Sequence, residues 1–252
     1  MTSYVKTLIS HIDRVKRYSK FNKEEVNGLA LVILILGFMF SYRYFFESTI
    51  NYGIFMFISC TLIVLLALLV HEVTHKAAGI MNGFQARTVF WLYALLIGFV
   101  ICLMSKGKIV IPIYGGVIFY FIQKHRIGKF RYGINYWPMG WSGILAPAAN
   151  LGLAFILRLV TYLPYDLFLV EKAIQINILI AFFNMLPFAK TDGIYMLYHS
   201  RLWYAILAGF LMGLAVLLWL NVGFIATVIG AVAISILTWG IYLLGFELKV
   251  GK

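Results

Sequence analysis

Long apolar runs separated by short polar segments dominate this sequence and predict membrane-spanning helices. A helix rises 1.5 Å per residue, so about 20 apolar residues cross the roughly 30 Å hydrocarbon core of a bilayer. Six stretches come close to or meet that length, at residues 28–46, 52–79, 143–162, 170–188, 202–220 and 224–246. The pattern therefore predicts an all-α polytopic membrane protein with six transmembrane helices.

The segment between the second and third spans, residues 80–142, breaks this pattern. It contains LYALLIGFVICLM, which is short for a span, and then KGKIVIPIYGGVIFYFI, where β-branched residues flank Pro112 and a Gly pair. We expect a re-entrant or interfacial element followed by a membrane-associated β-hairpin or paired strands. Irregular backbone is tolerated at membrane depth only where protein or a watery cavity satisfies it. The segment is expected either to line a functional site or to form a loop along the membrane.

Composition and charge strengthen the membrane assignment. The chain is 63% hydrophobic and 12% charged, with a mean hydropathy of +0.92, whereas a soluble domain has about 25% charged residues. Of the 21 Lys and Arg residues, all but Arg43, Arg158 and Lys172 fall on one side of the predicted spans. The positive-inside rule makes that side cytoplasmic and places both termini there. This distribution explains the net charge of +12, so we expect a multi-pass protein of the cell membrane and no nucleic-acid partner.

The N-terminal residues 1–27 have the pattern of an amphipathic surface helix. Apolar residues recur at helical spacing and basic residues occupy the rest of the wheel, which indicates a helix lying on an anionic leaflet; the apolar set is Val5, Leu8, Ile9, Ile12 and Val15. A plain solvated helix is the alternative. The expected organisation is this cytoplasmic segment, a transmembrane domain at 28–246 with its core at 53–200, and a cytoplasmic tail at 247–252.

Candidate chemistry appears at the end of the second span, in HEVTH. His71 and His75 lie one helical turn apart on the same face, so both imidazoles can bind one ion. Glu72 is next to the pair and can reach a metal-bound water without being a ligand. Two His and a Glu are costly to bury in an apolar segment, and metal binding would account for them.

A third metal ligand is expected because a catalytic zinc usually has three protein ligands and one open position. Asp192 closes the sequence NMLPFAKTDG at the end of the fourth span, which runs in the same direction as the HEVTH span. Pro187 interrupts the helix and Gly193 frees the backbone beside Asp192. Asp192 is therefore either a third ligand or the cap of a short following helix.

These motifs together resemble the site-2 protease family of intramembrane zinc metalloproteases, in an archaeal-type form. HEVTH is followed by N-x-x-P-x-x-x-x-D-G, LAPAANLGLA at 145–154 is similar to the family's AGP-x-x-N motif, and PIYGGVIFY resembles its glycine-containing β-element. The likeness covers about residues 53–200. Ala146 and Thr191 depart from the usual Gly and Leu. No PDZ insertion or CBS domain is expected.

The resemblance implies roles for named residues. It implies one Zn²⁺ per chain bound by His71, His75 and Asp192, and Glu72 as general base. It also implies substrate or transition-state contacts at Asn150 and Asn184. The β-element that would pair with an extended substrate strand contains Ile113, Tyr114, Gly115, Gly116 and Val117.

The sequence therefore predicts a zinc metalloendopeptidase that cleaves transmembrane segments of other proteins. A catalytically silent, metal-binding membrane scaffold of the same family is the first alternative. A transporter is a weaker one, because two related halves with broken helices are not visible. A di-iron oxygenase would need several His clusters, and the sequence has one pair. The sequence does not indicate the substrate's identity or the oligomeric state.

Overall fold

The computed structural model describes residues 12–13, 16, 18–121, 136–162 and 167–247. Most of the predicted surface helix, at residues 1–11, 14, 15 and 17, lies outside the described residues. Residues 122–135 of the irregular segment, residues 163–166 and the tail at 248–252 also lie outside them. Along the described chain run α1 (Lys23–Ser41), α2 (Tyr44–Glu47), α3 (Ile50–Met81), β1 (Phe84–Phe90), α4 (Leu92–Met104), β2 (Gly115–Phe121), α5 (Tyr136–Val160), α6 (Phe168–Met185), α7 (Gly193–His199), α8 (Arg201–Trp219) and α9 (Phe224–Tyr242), followed by a π-helical turn at Leu243–Glu247.

The prediction of six spanning helices is confirmed. α1 with α2, and then α3, α5, α6, α8 and α9, are each long and apolar enough to cross a membrane. α1 begins at Lys23 rather than at residue 28, because Glu25 accepts a hydrogen bond from the backbone N–H of Asn22 and closes the first turn. α5 begins at Tyr136, seven residues before the predicted start of the third span at residue 143. Six such helices indicate a membrane protein.

Close approaches of small residues hold the helices together. A Cβ at Gly37 on α1 would overlap the Thr61 side chain on α3. On α8, Gly209 approaches Thr238 of α9 in the same way, and the Thr238 hydroxyl donates to the Ala205 carbonyl at 3.0 Å. Small residues let helix backbones approach within a membrane, where the hydrophobic effect no longer drives helices together. These contacts fix α1 against α3, which carries HEVTH, and α8 against α9.

A small antiparallel sheet lies between the second and third spans, as expected, but its strands are not adjacent in sequence. β2 contains the predicted glycine-bearing element, and its partner is β1, which precedes the short apolar helix α4. The register runs from Phe84↔Phe121 to Phe90↔Gly115. At about 20 Å, α4 is too short to cross a bilayer. Of the two expected forms, the structure therefore has paired strands and not a hairpin, and the short helix α4 lies between them instead of preceding both.

The sheet packs on the end of α5. Phe84 and Ala86 of β1 and Val117 and Phe119 of β2 form a buried apolar cluster with Met139 of α5. This packing holds both strands beside the cytoplasmic end predicted for α3. The irregular segment therefore lines the region of HEVTH rather than forming a separate loop.

Candidate active site

The two histidines of HEVTH occupy one face of α3 inside the protein. Their rings are 4.8 Å apart between centroids, and the side chains of His71 and His75 are 0% and 1% exposed. α3 has 32 residues and extends for about 48 Å, longer than the roughly 30 Å hydrocarbon core. The histidines lie in its last three turns, where α5, the sheet and the α6–α7 connection converge on α3.

The α6–α7 connection brings Asp192 to these histidines. α6 ends because Leu186 is extended (φ −64°, ψ 140°), as expected for the residue before a proline. The Thr191 hydroxyl then closes the turn, accepting from the Phe188 N–H at 3.0 Å and donating to the Leu186 carbonyl at 2.5 Å. Asp192 stands at the N-cap position of α7, but its side chain makes no capping hydrogen bond. The capping alternative for this carboxylate therefore does not describe the structure.

The Asp192 carboxylate instead faces both imidazoles. Its Oδ2 lies 2.8 Å from Nε2 of His71, and its Oδ1 lies 3.1 Å from Nε2 of His75. One nitrogen from each histidine and one oxygen of Asp192 lie within 4.8 Å of one another. Two ligand atoms of a tetrahedral zinc are about 3.3 Å apart, given bonds of ~2.0–2.2 Å. The structure thus brings together the three residues that the sequence singled out.

The hydrogen bonds behind the rings explain why this arrangement fits a cation. Nδ1 of His75 lies 3.0 Å from the Ser142 carbonyl, and Nδ1 of His71 lies 3.3 Å from Oδ1 of Asn150. Both partners are acceptors, so in the neutral rings each Nδ1 carries the proton and each Nε2 presents a lone pair. Metal-binding histidines typically use their second nitrogen in this way.

Lone pairs of two histidines therefore face a carboxylate that has only lone pairs. Among the described residues, the buried Nε2 of His75 and Oδ1 of Asp192 have no hydrogen-bond partner, although they are 3.1 Å apart. The donor set of two imidazoles and one carboxylate fits a zinc ion.

Glu72 lies beside this cluster with both carboxylate oxygens held. Oε1 accepts from the Tyr114 hydroxyl at 2.8 Å, and Oε2 accepts from the Thr88 hydroxyl at 2.5 Å. Burial, followed by the charges of Glu72 and Asp192, raises the pKa of Tyr114 well above its ordinary value, so its hydroxyl stays a donor. Sequence reasoning missed Thr88, and it assigned Tyr114 to substrate pairing. Neither residue belongs to a spaced motif, so no local signal could have found this contact.

The two asparagines occupy different positions. Asn150 donates to the Ala67 carbonyl at 3.2 Å and to Oδ1 of Asn177 at 3.3 Å, while its own oxygen faces His71. Both of its amide hydrogens are therefore engaged, and its contacts orient His71. Asn184 is buried and donates to the Ile180 carbonyl at 2.9 Å; its Oδ1 has no partner among the described residues. The predicted transition-state contacts of both residues stay predictions.

The glycine-bearing element packs directly against the Asp192 turn. A Cβ at Gly116 would overlap the Lys190 carbonyl oxygen and would lie 3.3 Å from Oδ1 of Asp192. Gly115 has a φ of 150° and lies against the Val89 carbonyl, where no side chain fits. Ile113 precedes them and is buried. These glycines therefore allow β2 to approach the cluster closely.

A groove runs along the outer side of β2. Its volume is about 370 Å³, and the Tyr195 hydroxyl crosses it to donate to the Val117 carbonyl. The lining residues come from the sheet and from the segment around α7: Val89, Gly116, Val117, Ile118, Ala189, Lys190, Ile194, Tyr195 and Tyr198. The groove therefore follows the edge of β2 and includes Gly116, which packs beside Asp192.

Comparison with known proteins connects this geometry with a chemistry. The chain is 25% identical over 180 residues to a protein of Methanocaldococcus jannaschii named "putative zinc metalloprotease". The matched region covers 69% of this chain and 83% of that protein. No family model matches the chain, and no solved structure matches it. A similar chain thus bears the name of the enzyme class to which the cluster of His71, His75 and Asp192 points.

Proposed function

We propose that this chain is a zinc metalloprotease of the site-2 protease type, with residues 28–246 as its protease domain and its cleavage site within the membrane. The observation that carries the proposal is the convergence of His71, His75 and Asp192, with their lone pairs directed at one another and Glu72 beside them. The similarity to a protein named as a zinc metalloprotease supports the reaction class. Six helices long enough to cross a bilayer support the membrane setting.

His71, His75 and Asp192 would hold one Zn²⁺ per chain. When bound, zinc lowers the pKa of a coordinated water and polarises a carbonyl group. Asn150 and the Ser142 carbonyl keep the two rings in the tautomer that binding needs.

Glu72 would act as the general base and then as the general acid. Its carboxylate accepts a proton from water as the water oxygen bonds to the scissile carbonyl carbon. It then passes that proton to the amide nitrogen as the C–N bond breaks. Thr88 and Tyr114 hold the carboxylate during both transfers. Asn184, whose amide group carries a hydrogen not engaged by Ile180, would donate to the developing oxyanion.

The substrate class we propose is a transmembrane segment of another protein. The test offers purified wild-type protein in liposomes a panel of single-span substrates, together with water-soluble peptides of the same cleavage sequences. We expect zinc-dependent cleavage inside or beside the transmembrane segments, located by mass spectrometry of the products. Cleavage of the soluble peptides alone would contradict an intramembrane activity.

An extended substrate would pair with the outer edge of β2. The Tyr195 hydroxyl bonded to the Val117 carbonyl marks a backbone group that points away from β1, and residues in an antiparallel pair direct both polar groups to the same side. A helix that unwinds for cleavage exposes backbone groups, and strand addition satisfies them. The groove along this edge provides room for such a strand.

Replacing Val117 by Pro tests this pairing. The substitution removes the N–H that a substrate strand would use, so we expect the catalytic efficiency on transmembrane substrates to fall about tenfold, in line with one lost hydrogen bond. Val117→Ala is the matched control, because it trims the same buried side chain and keeps the N–H. Equal efficiency of the Pro and Ala variants would remove the pairing from the proposal.

A further inference from the structure

A buried ion pair joins α1 to α3 close to the candidate site. Nζ of Lys76, the residue after His75, lies 3.0 and 3.2 Å from the two carboxylate oxygens of Glu25. The side chains are 3% and 6% exposed. Removing two charges from water often costs as much as their attraction returns, so a buried pair is weak support for stability. Its other contacts indicate what it does.

Both members of the pair also bind the backbone of β1. Oε1 of Glu25 accepts from the Thr88 N–H at 3.0 Å, and Nζ of Lys76 donates to the Ala86 carbonyl at 3.3 Å. Thr88 and Ala86 are two residues apart, so their polar groups point to the same edge of the strand. Glu25 and Lys76 therefore complete the outer edge of β1 much as a neighbouring strand would.

Thr88 connects this edge to the proposed general base. Its backbone N–H is held by Glu25, and its hydroxyl donates to Oε2 of Glu72 at 2.5 Å. Thr88 therefore contacts both carboxylates and links Glu25 to Glu72. A shift of Thr88 along or away from α3 would change the direction of the Glu72 carboxylate.

We propose that Glu25 is a positioning residue for Glu72: its carboxylate fixes the Thr88 backbone and so sets the orientation of the proposed base. Lys76 neutralises Glu25 and holds the next carbonyl of the same strand edge. The inference rests on the proposed function, because it assigns Glu25 a role in the same reaction. It requires that catalysis depends on the Glu25 oxygen that accepts from the Thr88 N–H and not on the charges of the ion pair.

Two neutral double variants separate the acceptor from the charge. Glu25→Gln/Lys76→Met leaves one amide oxygen that can accept from the Thr88 N–H while the Asn22 N–H loses its acceptor, whereas Glu25→Leu/Lys76→Met leaves both N–H groups without one. Both double variants eliminate the charges. We expect the Gln variant to keep kcat within about threefold of wild type. We expect the Leu variant to lose about tenfold to 100-fold in kcat, the scale of a misplaced catalytic group. KM and zinc content should stay unchanged, which a general loss of structure would not allow.

Thr88→Val provides an independent measurement if the Leu variant does not fold. It removes the hydroxyl that binds Glu72 and leaves the ion pair intact, so kcat should fall with zinc retained. In the triple variant Glu25→Leu/Lys76→Met/Thr88→Val, the loss of kcat should be smaller than the sum of the separate losses in activation free energy, because both changes break the same connection. Wild-type kcat in Thr88→Val, or additive losses, would overturn the inference. If wild-type cleavage does not depend on Glu72, the proposed function itself fails; if it does and the Glu25 variants match wild type, only this inference fails.

Discussion

Replacing Glu72 by Gln is expected to abolish cleavage and leave zinc bound. The amide has the shape of the carboxylate and can still accept a hydrogen bond from Thr88 or Tyr114, but it cannot take a proton from water. General base catalysis contributes roughly 10²- to 10⁴-fold, so kcat on a transmembrane substrate should fall by at least about 100-fold. Zinc content, measured by mass spectrometry on purified protein, should match wild type because Glu72 is not among the three converging ligands.

Glu47→Gln is the matched control for this experiment. Glu47 is a half-exposed carboxylate that pairs with Arg43 in the connection between α1 and α3, away from the cluster, so its loss should leave cleavage unchanged. Undiminished cleavage by Glu72→Gln would refute the assignment of the base. Bound zinc without any Glu72-dependent cleavage would instead favour a metal-binding scaffold.

Removal of the Asp192 carboxylate is expected to remove the metal together with the activity. In Asp192→Ala, two neutral imidazoles remain without the anionic ligand. Substituting a residue that only hydrogen-bonds to a metal ligand typically lowers metal affinity roughly 10- to 100-fold, so loss of the ligand itself should lower zinc affinity further. Asp192→Asn keeps one oxygen and should bind more weakly than wild type and more tightly than the Ala variant. The zinc content of wild type, Asp192→Ala and Asp192→Asn, measured after dialysis against a weak chelator, tests this order of affinities.

The control for Asp192→Ala is Glu24→Ala, which removes an exposed carboxylate from the first turn of α1. It should bind zinc and cleave as wild type does. A full complement of zinc in Asp192→Ala would show that the ion is held elsewhere and would contradict the proposed centre.

The sequence was sufficient for the elements whose signals are local. Helical spacing placed His71 and His75 on one face, and long apolar runs gave the six spans. Asp192 required one further step, since only the common direction of two spans brought it level with the histidines. Its two interpretations, ligand or cap, could not be separated until its side-chain direction was known.

Contacts between residues far apart in the chain could not be predicted from the sequence, because local patterns do not specify a distant partner. β1 pairs with a strand beyond α4, and nothing in FQARTVF specifies a partner that distant. The contacts of Glu72 with Thr88 and Tyr114 depend on that pairing. Charge counting placed Lys76 among the cytoplasmic cations, whereas the structure buries it against Glu25. Counting assigns residues to a side of the membrane and does not reveal their partners.

The ion pair between α1 and α3 also bears on the relative level of the two helices in a membrane. Glu25 and Lys76 are 51 positions apart in the chain, and either charge alone is expensive to bring into hydrocarbon. An unpaired Lys76 would favour the water or headgroup layer, and so would an unpaired Glu25. The pair therefore ties the first turn of α1 to the turn of α3 that carries His75.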